Sequence, residues 1–148
     1  MLRQFLFGGA VSAVNIALHA LVMTVLVQVA RKASARSKSH ASQHLVLIMI
    51  PVVLVLMVTH AAEIIVWALA YALVDAAPEG ADRVYFAFVN YTTLGYGDVV
   101  PVRRWNLLGP MTAMNGVLLF GWSTAVIYDI LRTVANVIPM TGAAVRDH

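Results

Sequence analysis

The sequence contains no cysteine and few charged residues. Of its 148 residues, 11% are charged and 61% are hydrophobic. The missing thiols exclude disulfides, thiolate metal sites and cysteine catalysis. A soluble domain is about 45–50% apolar and about 25% charged, so this composition excludes an ordinary soluble protein. It predicts a single small membrane domain, too small to enclose a transport path without further copies.

Arginine is absent from residues 5–30, the first of three long apolar runs. A voltage-sensing helix carries arginine at every third position, so this run is not one. It is long enough to cross a bilayer and too long for the apolar core of a signal peptide. We predict a membrane helix over residues 1–31 that packs at the periphery of its neighbours. The other two runs predict spans over about residues 44–73 and 107–130.

A basic segment separates the first two spans, and we expect it to be a loop over residues 32–43. Residues 31–40 hold four lysines and arginines and no acid. Cytoplasmic segments are rich in these residues, so the loop is predicted to be cytoplasmic. The N-terminus then lies outside, and a short tail, residues 137–148, lies in the cytoplasm. The net charge of +3 reflects this clustering beside the spans and predicts no nucleic-acid partner.

A short polar stretch lies between the second and third spans. Residues 82–92 are enough for a half-length helix, for which Asp82 is a plausible N-cap. "YTTLGYGDVVP", residues 91–101, follows. Irregular backbone within a membrane is tolerated only where protein buries it or water reaches it. Gly95 and Gly97 favour a backbone that alternates into the left-handed region, which lets successive carbonyl oxygens face one axis. Such oxygens replace the hydration shell of an alkali cation.

The heptapeptide "TTLGYGD", residues 92–98, resembles the signature of potassium channels. We call residues 92–98 the glycine segment. The order of span, half-helix, glycine segment and span is similar to the pore domain of the two-transmembrane, pore-loop family. The chain also resembles small bacterial ion channel proteins with an additional N-terminal span. This resemblance implies an all-α membrane protein with three transmembrane helices, a pore helix and a filter loop, assembled as a tetramer. The pore domain would cover residues 44–136.

The resemblance also assigns residues to the filter. The residues whose oxygens would bind K⁺ are Thr93, Leu94, Gly95 and Tyr96. Those that would support the filter or form its outer mouth are Thr92, Gly97, Asp98, Tyr85 and Phe86. We expect Tyr85 to bond Asp98, and Tyr85 and Phe86 to pack around Tyr96. No cofactor other than K⁺ is expected.

Several sites within the spans have two readings. Gly116 is either a gating hinge or a site of close helix packing. The residues expected to line the cavity are Val117, Phe120 and Thr124. Asp129 either attracts cations at the inner mouth or pairs with Arg132 one turn away.

Two ionisable residues, His60 and Glu63, lie one turn apart inside the second span. They are weak metal-ligand candidates, because the sequence shows no matching pair. We expect them to bond each other or pore-helix hydroxyls. A sharper hypothesis is that Glu63 braces the pore helix and couples pH to opening. Asn15 and His19 would mark the buried face of the first span.

The sequence therefore predicts a potassium-selective channel that conducts passively as a homotetramer and is not an enzyme. Its partners would be K⁺, membrane lipid and further copies of the chain, in the bacterial inner membrane. One alternative is a weakly selective monovalent cation channel, and another is a non-conducting subunit that needs a partner. A third is a redox bundle in which His19, His44 and His60 hold haem, although these histidines lie at different depths.

Overall fold

The computed structural model describes residues 1–36 and 41–137. Every regular element in these residues is helical. The elements are α1 (Leu2–Arg36), α2 (Ala41–Val74), α3 (Arg83–Tyr91), a single 3₁₀ turn (Arg103–Trp105) and α4 (Leu108–Val137). By length and composition, α1, α2 and α4 are able to cross a membrane. The fold is therefore the all-α membrane protein predicted from the sequence.

The basic segment after the first span is more helical than expected. α1 continues through Arg36, and α2 begins at Ala41. The segment predicted to be a loop, residues 32–43, is thus helical at both ends, and residues 37–40 lie outside the described part. The physical reason is that alanine, lysine and arginine are strong helix formers, and cations at a helix C-terminus interact favourably with its dipole. Of the predicted tail, residues 138–148 also lie outside the described part.

The two prolines inside the long helices are accommodated differently. Pro110 is the third residue of α4, in the first turn, where the missing N–H leaves no bond unmade. Pro51 lies in the interior of α2, and the chain is helical both before and after this proline.

Two apolar cores lie at opposite ends of the bundle, and a polar layer separates them. α1 and α4 run in the same direction, and α2 runs in the opposite one. The upper core, at the end that carries α3, includes Trp67, Tyr71, Phe86, Trp105 and Leu108. The lower core includes Met23, Leu26, Val52, Ile130 and Val134. Fully buried polar side chains of all three long helices form the layer between them.

The N-terminal helix packs closely against α2 and α4. At its start, the side-chain oxygen of Gln4 accepts a hydrogen bond of 2.9 Å from the backbone N–H of Leu107. The guanidinium of Arg3 lies 4.4 Å from the ring centre of Trp105. Asn15 and His19 in the middle of α1 are fully buried, as predicted, because polar groups on an apolar helix need partners and find them on α2 and α4. The peripheral position of α1 in an assembly stays a prediction.

Candidate functional site

The short helix α3 begins and ends with side-chain and backbone caps. The carboxylate of Asp82 accepts hydrogen bonds from the backbone N–H groups of Val84 and Tyr85, at 2.8 and 3.1 Å. Asp82 is therefore the N-cap that the sequence predicted. Nine residues rise only about 14 Å, which is half the thickness of a bilayer core. The chain must consequently turn back within the depth of a membrane.

The turn that ends α3 places a threonine in the left-handed region. The N–H of Thr93 bonds the carbonyl of Asn90 at 3.1 Å, and the N–H of Leu94 bonds that of Val89 at 3.0 Å. This pair of bonds is the Schellman motif, whose left-handed position usually holds glycine. Here that position is Thr93, with a φ of 59°. A β-branched residue costs about 1–2 kcal/mol in this conformation, so the turn stores strain at the second residue of the glycine segment, residues 92–98.

Left-handed residues recur at every second position of the glycine segment. Thr93, Gly95 and Gly97 have φ angles of 59°, 54° and 81°. This is the alternation predicted from the two glycines, and it begins one step earlier than glycine alone indicated. A backbone that alternates in this way allows successive carbonyl groups to turn toward the same side. A row of oxygens in that arrangement suits a hard cation.

The glycine segment has almost no support from its own chain. Every residue from 92 to 98 is exposed, including the large side chains of Leu94 and Tyr96. One contact at its end is specific: the Tyr85 hydroxyl donates a hydrogen bond of 2.8 Å to the Asp98 carboxylate, as predicted. This bond is the main reason that the pKa of Tyr85 lies above its ordinary value. The other described hydrogen bonds of the segment belong to the turn that ends α3.

Phe86 does not lie where the sequence placed it. We expected its ring to pack around Tyr96, but it is fully buried, with its centre 4.9 Å from that of Tyr71 in α2. The reason is helical phase: Phe86 and Ala87 face the upper core, whereas Tyr85 and Phe88 remain partly exposed on the opposite side of α3.

Behind the end of α3, two imidazoles and one carboxylate meet in the polar layer. His19 Nδ1 of α1 lies 2.8 Å from Glu63 Oε1, and His60 Nδ1 lies 2.9 Å from Glu63 Oε2. Tyr91, the last residue of α3, donates its hydroxyl hydrogen to the same carboxylate. Ser123 of α4 lies 3.0 Å from His60 Nε2 and 3.5 Å from His19 Nε2. We call these five residues the polar cluster, which links all four helices.

A second buried group extends the polar layer toward the upper core. Asn15 donates to the Asn115 side-chain oxygen and to the backbone carbonyl of Glu63, each at 3.2 Å. The indole N–H of Trp67 donates to the same oxygen of Asn115 at 3.0 Å. The remaining amide atoms, Asn15 Oδ1 and Asn115 Nδ2, are buried without a partner.

Comparison with protein families decides what class of protein this is. A family model described as "ion channel" matches residues 45–133, more than half of the chain. The chain belongs to this ion channel family. The matched region begins near the start of α2 and ends in α4, so it contains the half-helix and the glycine segment. Comparisons with curated proteins and with solved structures gave no match.

In this ion channel protein, α4 lies close against the end of α3 at Gly116. A side-chain carbon added at Gly116 would overlap the carbonyl oxygen of Tyr91. This contact favours the packing reading of Gly116, and its role as a hinge stays a prediction. A carbon added at Gly121 would meet nothing within 4 Å. Gly116 therefore lies in a close helix contact, whereas Gly121 does not.

The three residues expected to line the channel cavity, Val117, Phe120 and Thr124, are all exposed in the single chain, as residues facing a central cavity would be. Phe120 also contacts the interior, because its ring centre lies 4.5 Å from that of His60 and 5.4 Å from that of Tyr91. Phe120 thus joins the cavity face of α4 to the polar cluster.

Asp129 pairs with a residue that the sequence did not indicate. Its carboxylate lies 3.2 Å from the guanidinium of Arg31, on α1, and this contact is the ion pair found for it among the described residues. The expected partner was Arg132, one turn along the same helix. Because α1 and α4 run in parallel, their lower ends bring Arg31 and Asp129 together. Both side chains remain about half exposed.

The structure also bears on where a cofactor or metal would bind in the channel protein. The ring centres of His19 and His60 are 5.5 Å apart, and both rings bond one carboxylate, which leaves no room for a porphyrin between them. His44 lies about 24 Å from His60 along α2 by helical rise. The haem alternative therefore has no support in this geometry.

The sequence made His60 and Glu63 weak metal-ligand candidates because it showed no further ligand beside them. In the structure His19 supplies one: ligand atoms of His19, His60 and Glu63 all lie within 4.8 Å of one another.

Sequence reasoning found part of the polar cluster and missed the rest. It paired His60 with Glu63 and expected pore-helix hydroxyls near them, and the bonds to Tyr91 confirm this. It did not connect them to His19, Ser123 or Asn115. The available signal was the recurrence of a polar residue every one or two turns along otherwise apolar helices. This pattern indicates that one face of the helix is buried and polar, but it does not indicate which residues of other helices contact that face.

Proposed function

We propose that the chain is one subunit of a potassium-selective channel through which K⁺ moves passively across a membrane. The observation that carries the proposal is the alternation of left-handed residues at Thr93, Gly95 and Gly97, within the depth of a membrane. The family assigns ion channel function to the fold. The alternation supports a filter of the kind that replaces the water of a dehydrated K⁺.

The proposed ion ligands are backbone oxygens of Thr93, Leu94, Gly95 and Tyr96, with the Thr93 hydroxyl as the innermost one. Carbonyl oxygens bind alkali cations weakly enough to release them, and conduction requires this. No bond is made or broken in the process, so the protein needs no cofactor besides the ion and is not an enzyme.

The lack of support for residues 92–98 favours assembly around an axis. A single strand of carbonyls surrounds no ion, and the segment is exposed within one chain. A closed ring of identical chains would bury it and complete the coordination. Four copies, as the resemblance to potassium channels implies, form the homotetramer of this proposal. The C-terminal end of α3 would then direct its negative dipole toward the central cavity.

The basic residues between α1 and α2 support an orientation in the membrane. Their side is cytoplasmic by the usual distribution of lysine and arginine. The N-terminus and α3 then approach from outside, and the C-terminus is cytoplasmic. A bacterial inner membrane is the proposed location, as the resemblance implies.

The test is cation flux into liposomes that contain the purified protein. We expect K⁺ to enter much faster than Na⁺, and Gly95→Ala to abolish K⁺ entry, because a side chain at a φ of 54° strains the filter. Gly80→Ala is the matched control: Gly80 also has a positive φ, of 78°, but lies in the turn before α3. It should preserve both flux and selectivity.

Three results would contradict the proposal. Equal rates for K⁺ and Na⁺ would indicate a weakly selective cation channel. Absence of flux from an assembled, folded protein would indicate a non-conducting subunit. Unaltered flux and selectivity in Gly95→Ala would show that the glycine segment is not the filter.

A further inference from the structure

The polar cluster contains a set of side chains that the ion pathway does not use. His19, His60 and Glu63 come from two different helices, yet their ligand atoms converge within 4.8 Å. His19 and Glu63 are fully buried and His60 nearly so. We propose that these three residues form a binding site for a divalent transition metal, with Zn²⁺ as the best fit, inside the membrane and behind the pore helix.

The choice of metal follows from the ligand types and their spacing. Two imidazoles and one carboxylate are a ligand set that zinc uses, with a fourth position left to solvent. Ca²⁺ and Mg²⁺ require about six or more oxygens, which this cluster does not offer. Zinc–ligand bonds of about 2.0–2.1 Å in a tetrahedron separate ligand atoms by roughly 3.3 Å. The ligand atoms of the three residues lie within 4.8 Å of one another, so no pair exceeds the tetrahedral separation by more than about 1.5 Å.

The neighbours of the three ligands suit the tautomers that a metal would require. The Ser123 hydroxyl oxygen faces Nε2 of both imidazoles and has lone pairs to accept a hydrogen from each. With a metal bound and their hydrogens on Nε2, His19 and His60 would direct the free pair of Nδ1 toward the ion. Tyr91 meanwhile donates to the carboxylate. Outer partners of this kind accompany metal-bound histidines and carboxylates in proteins.

The layer next to the cluster also leaves polar groups for a further species to satisfy. Asn15 Oδ1, one turn before His19, and Asn115 Nδ2 are fully buried without a partner. Buried polar atoms of this kind are rare and call for an explanation. A solvent ligand in the fourth metal position is of the right chemistry to bond both an acceptor and a donor.

The experiment is a metal titration of the purified, detergent-solubilised protein after treatment with a chelator. We expect one Zn²⁺ per chain, and with Co²⁺ the visible absorption of a tetrahedral nitrogen and oxygen site. His19→Gln should weaken binding by about 100-fold or more, since it removes one of three protein ligands. The matched control is His44→Gln, which removes another histidine of α2 and should leave the affinity unchanged.

Full affinity in His19→Gln, or wild-type protein that binds no metal, would overturn the proposal. If His19→Gln does not assemble, Ser123→Ala keeps all three ligands and should weaken binding about 10–100-fold. Unchanged affinity in that variant would count against the site. X-ray absorption of the wild-type protein should find two imidazoles on the metal. None of these measurements uses ion flux, so failure of the potassium proposal would leave them interpretable.

Discussion

The two sides of the pore helix α3 are built on opposite principles. In front of it, residues 92–98 are exposed and make one specific side-chain contact beyond their own turn, from Tyr85 to Asp98. Behind it, the fully buried Tyr91 enters a largely buried cluster that draws on all four helices. The chain therefore supplies the rear support itself, and in the proposed assembly further copies would support the front. Changes behind α3 should lower the stability of the chain, whereas changes in front should alter ion flux and leave the chain folded.

The largest effect should come from removing the carboxylate behind α3. Glu63→Gln takes away the negative charge that accepts bonds from two imidazoles and a tyrosine. Breaking a buried, charged network lowers the free energy of unfolding by about 3–5 kcal/mol. Thermal and denaturant unfolding of the purified protein would measure it. Glu79→Gln, at an exposed acid, is the control and should change little; equal effects of the two would disprove a special role for the cluster.

The contact between α4 and the end of α3 should give the next largest effect. Gly116→Ala forces a methyl group against the Tyr91 carbonyl and should destabilise the protein by about 1–3 kcal/mol. Gly121→Ala meets open space and should stabilise α4 by up to about 1 kcal/mol. Unfolding of both variants tests the packing reading. If Gly116→Ala unfolds like the wild type but alters channel opening, the hinge reading is correct instead.

These contrasts also explain how much the sequence could reveal. The glycine segment was predictable because its chemistry is contiguous: seven neighbouring residues specify the backbone, and Asp82 marks where α3 begins. The polar cluster was not, because His19 and Ser123 are 104 residues apart and only packing brings them together. The extension of α1 into the predicted loop was missed for a different reason. The distribution of basic residues predicts the side of the membrane on which a segment lies, but it does not predict the conformation of that segment. The helix propensity of the same residues extends α1.

A smaller effect is expected in front of α3, at the bond from Tyr85 to Asp98. The phenol must be protonated to donate, and the bond raises its pKa above the ordinary value of 10.0. The contact is therefore complete below pH 10.0 and is lost only as the pH rises through the raised value. Tyr85→Phe should alter K⁺ flux at neutral pH, and wild-type flux should approach that of the variant in strong alkali. Tyr128→Phe, at an exposed tyrosine of α4, is the control. If K⁺ flux in Tyr85→Phe depended on alkaline pH in the same way as wild-type flux, the alkaline change would belong to a group other than Tyr85.

The smallest effect should arise at the lower ends of α1 and α4. The Arg31–Asp129 pair is about half exposed, and such pairs contribute about 0.2–1 kcal/mol. Arg31→Gln should therefore hardly change stability, but it frees the carboxylate to attract cations. We expect higher single-channel conductance at low K⁺ in Arg31→Gln and an almost unchanged value in Asp129→Asn. A large loss in Asp129→Asn alone would show that its charge acts on the ion despite the pair.

The most direct test of the account is an experimental structure of the purified particle in K⁺. The account predicts four chains around one axis, with residues 92–98 buried between them. It also predicts a file of ion densities along the axis, each flanked by backbone oxygens of residues 93–96. A monomeric particle, or an axis empty of ions beside an ordered glycine segment, would contradict it.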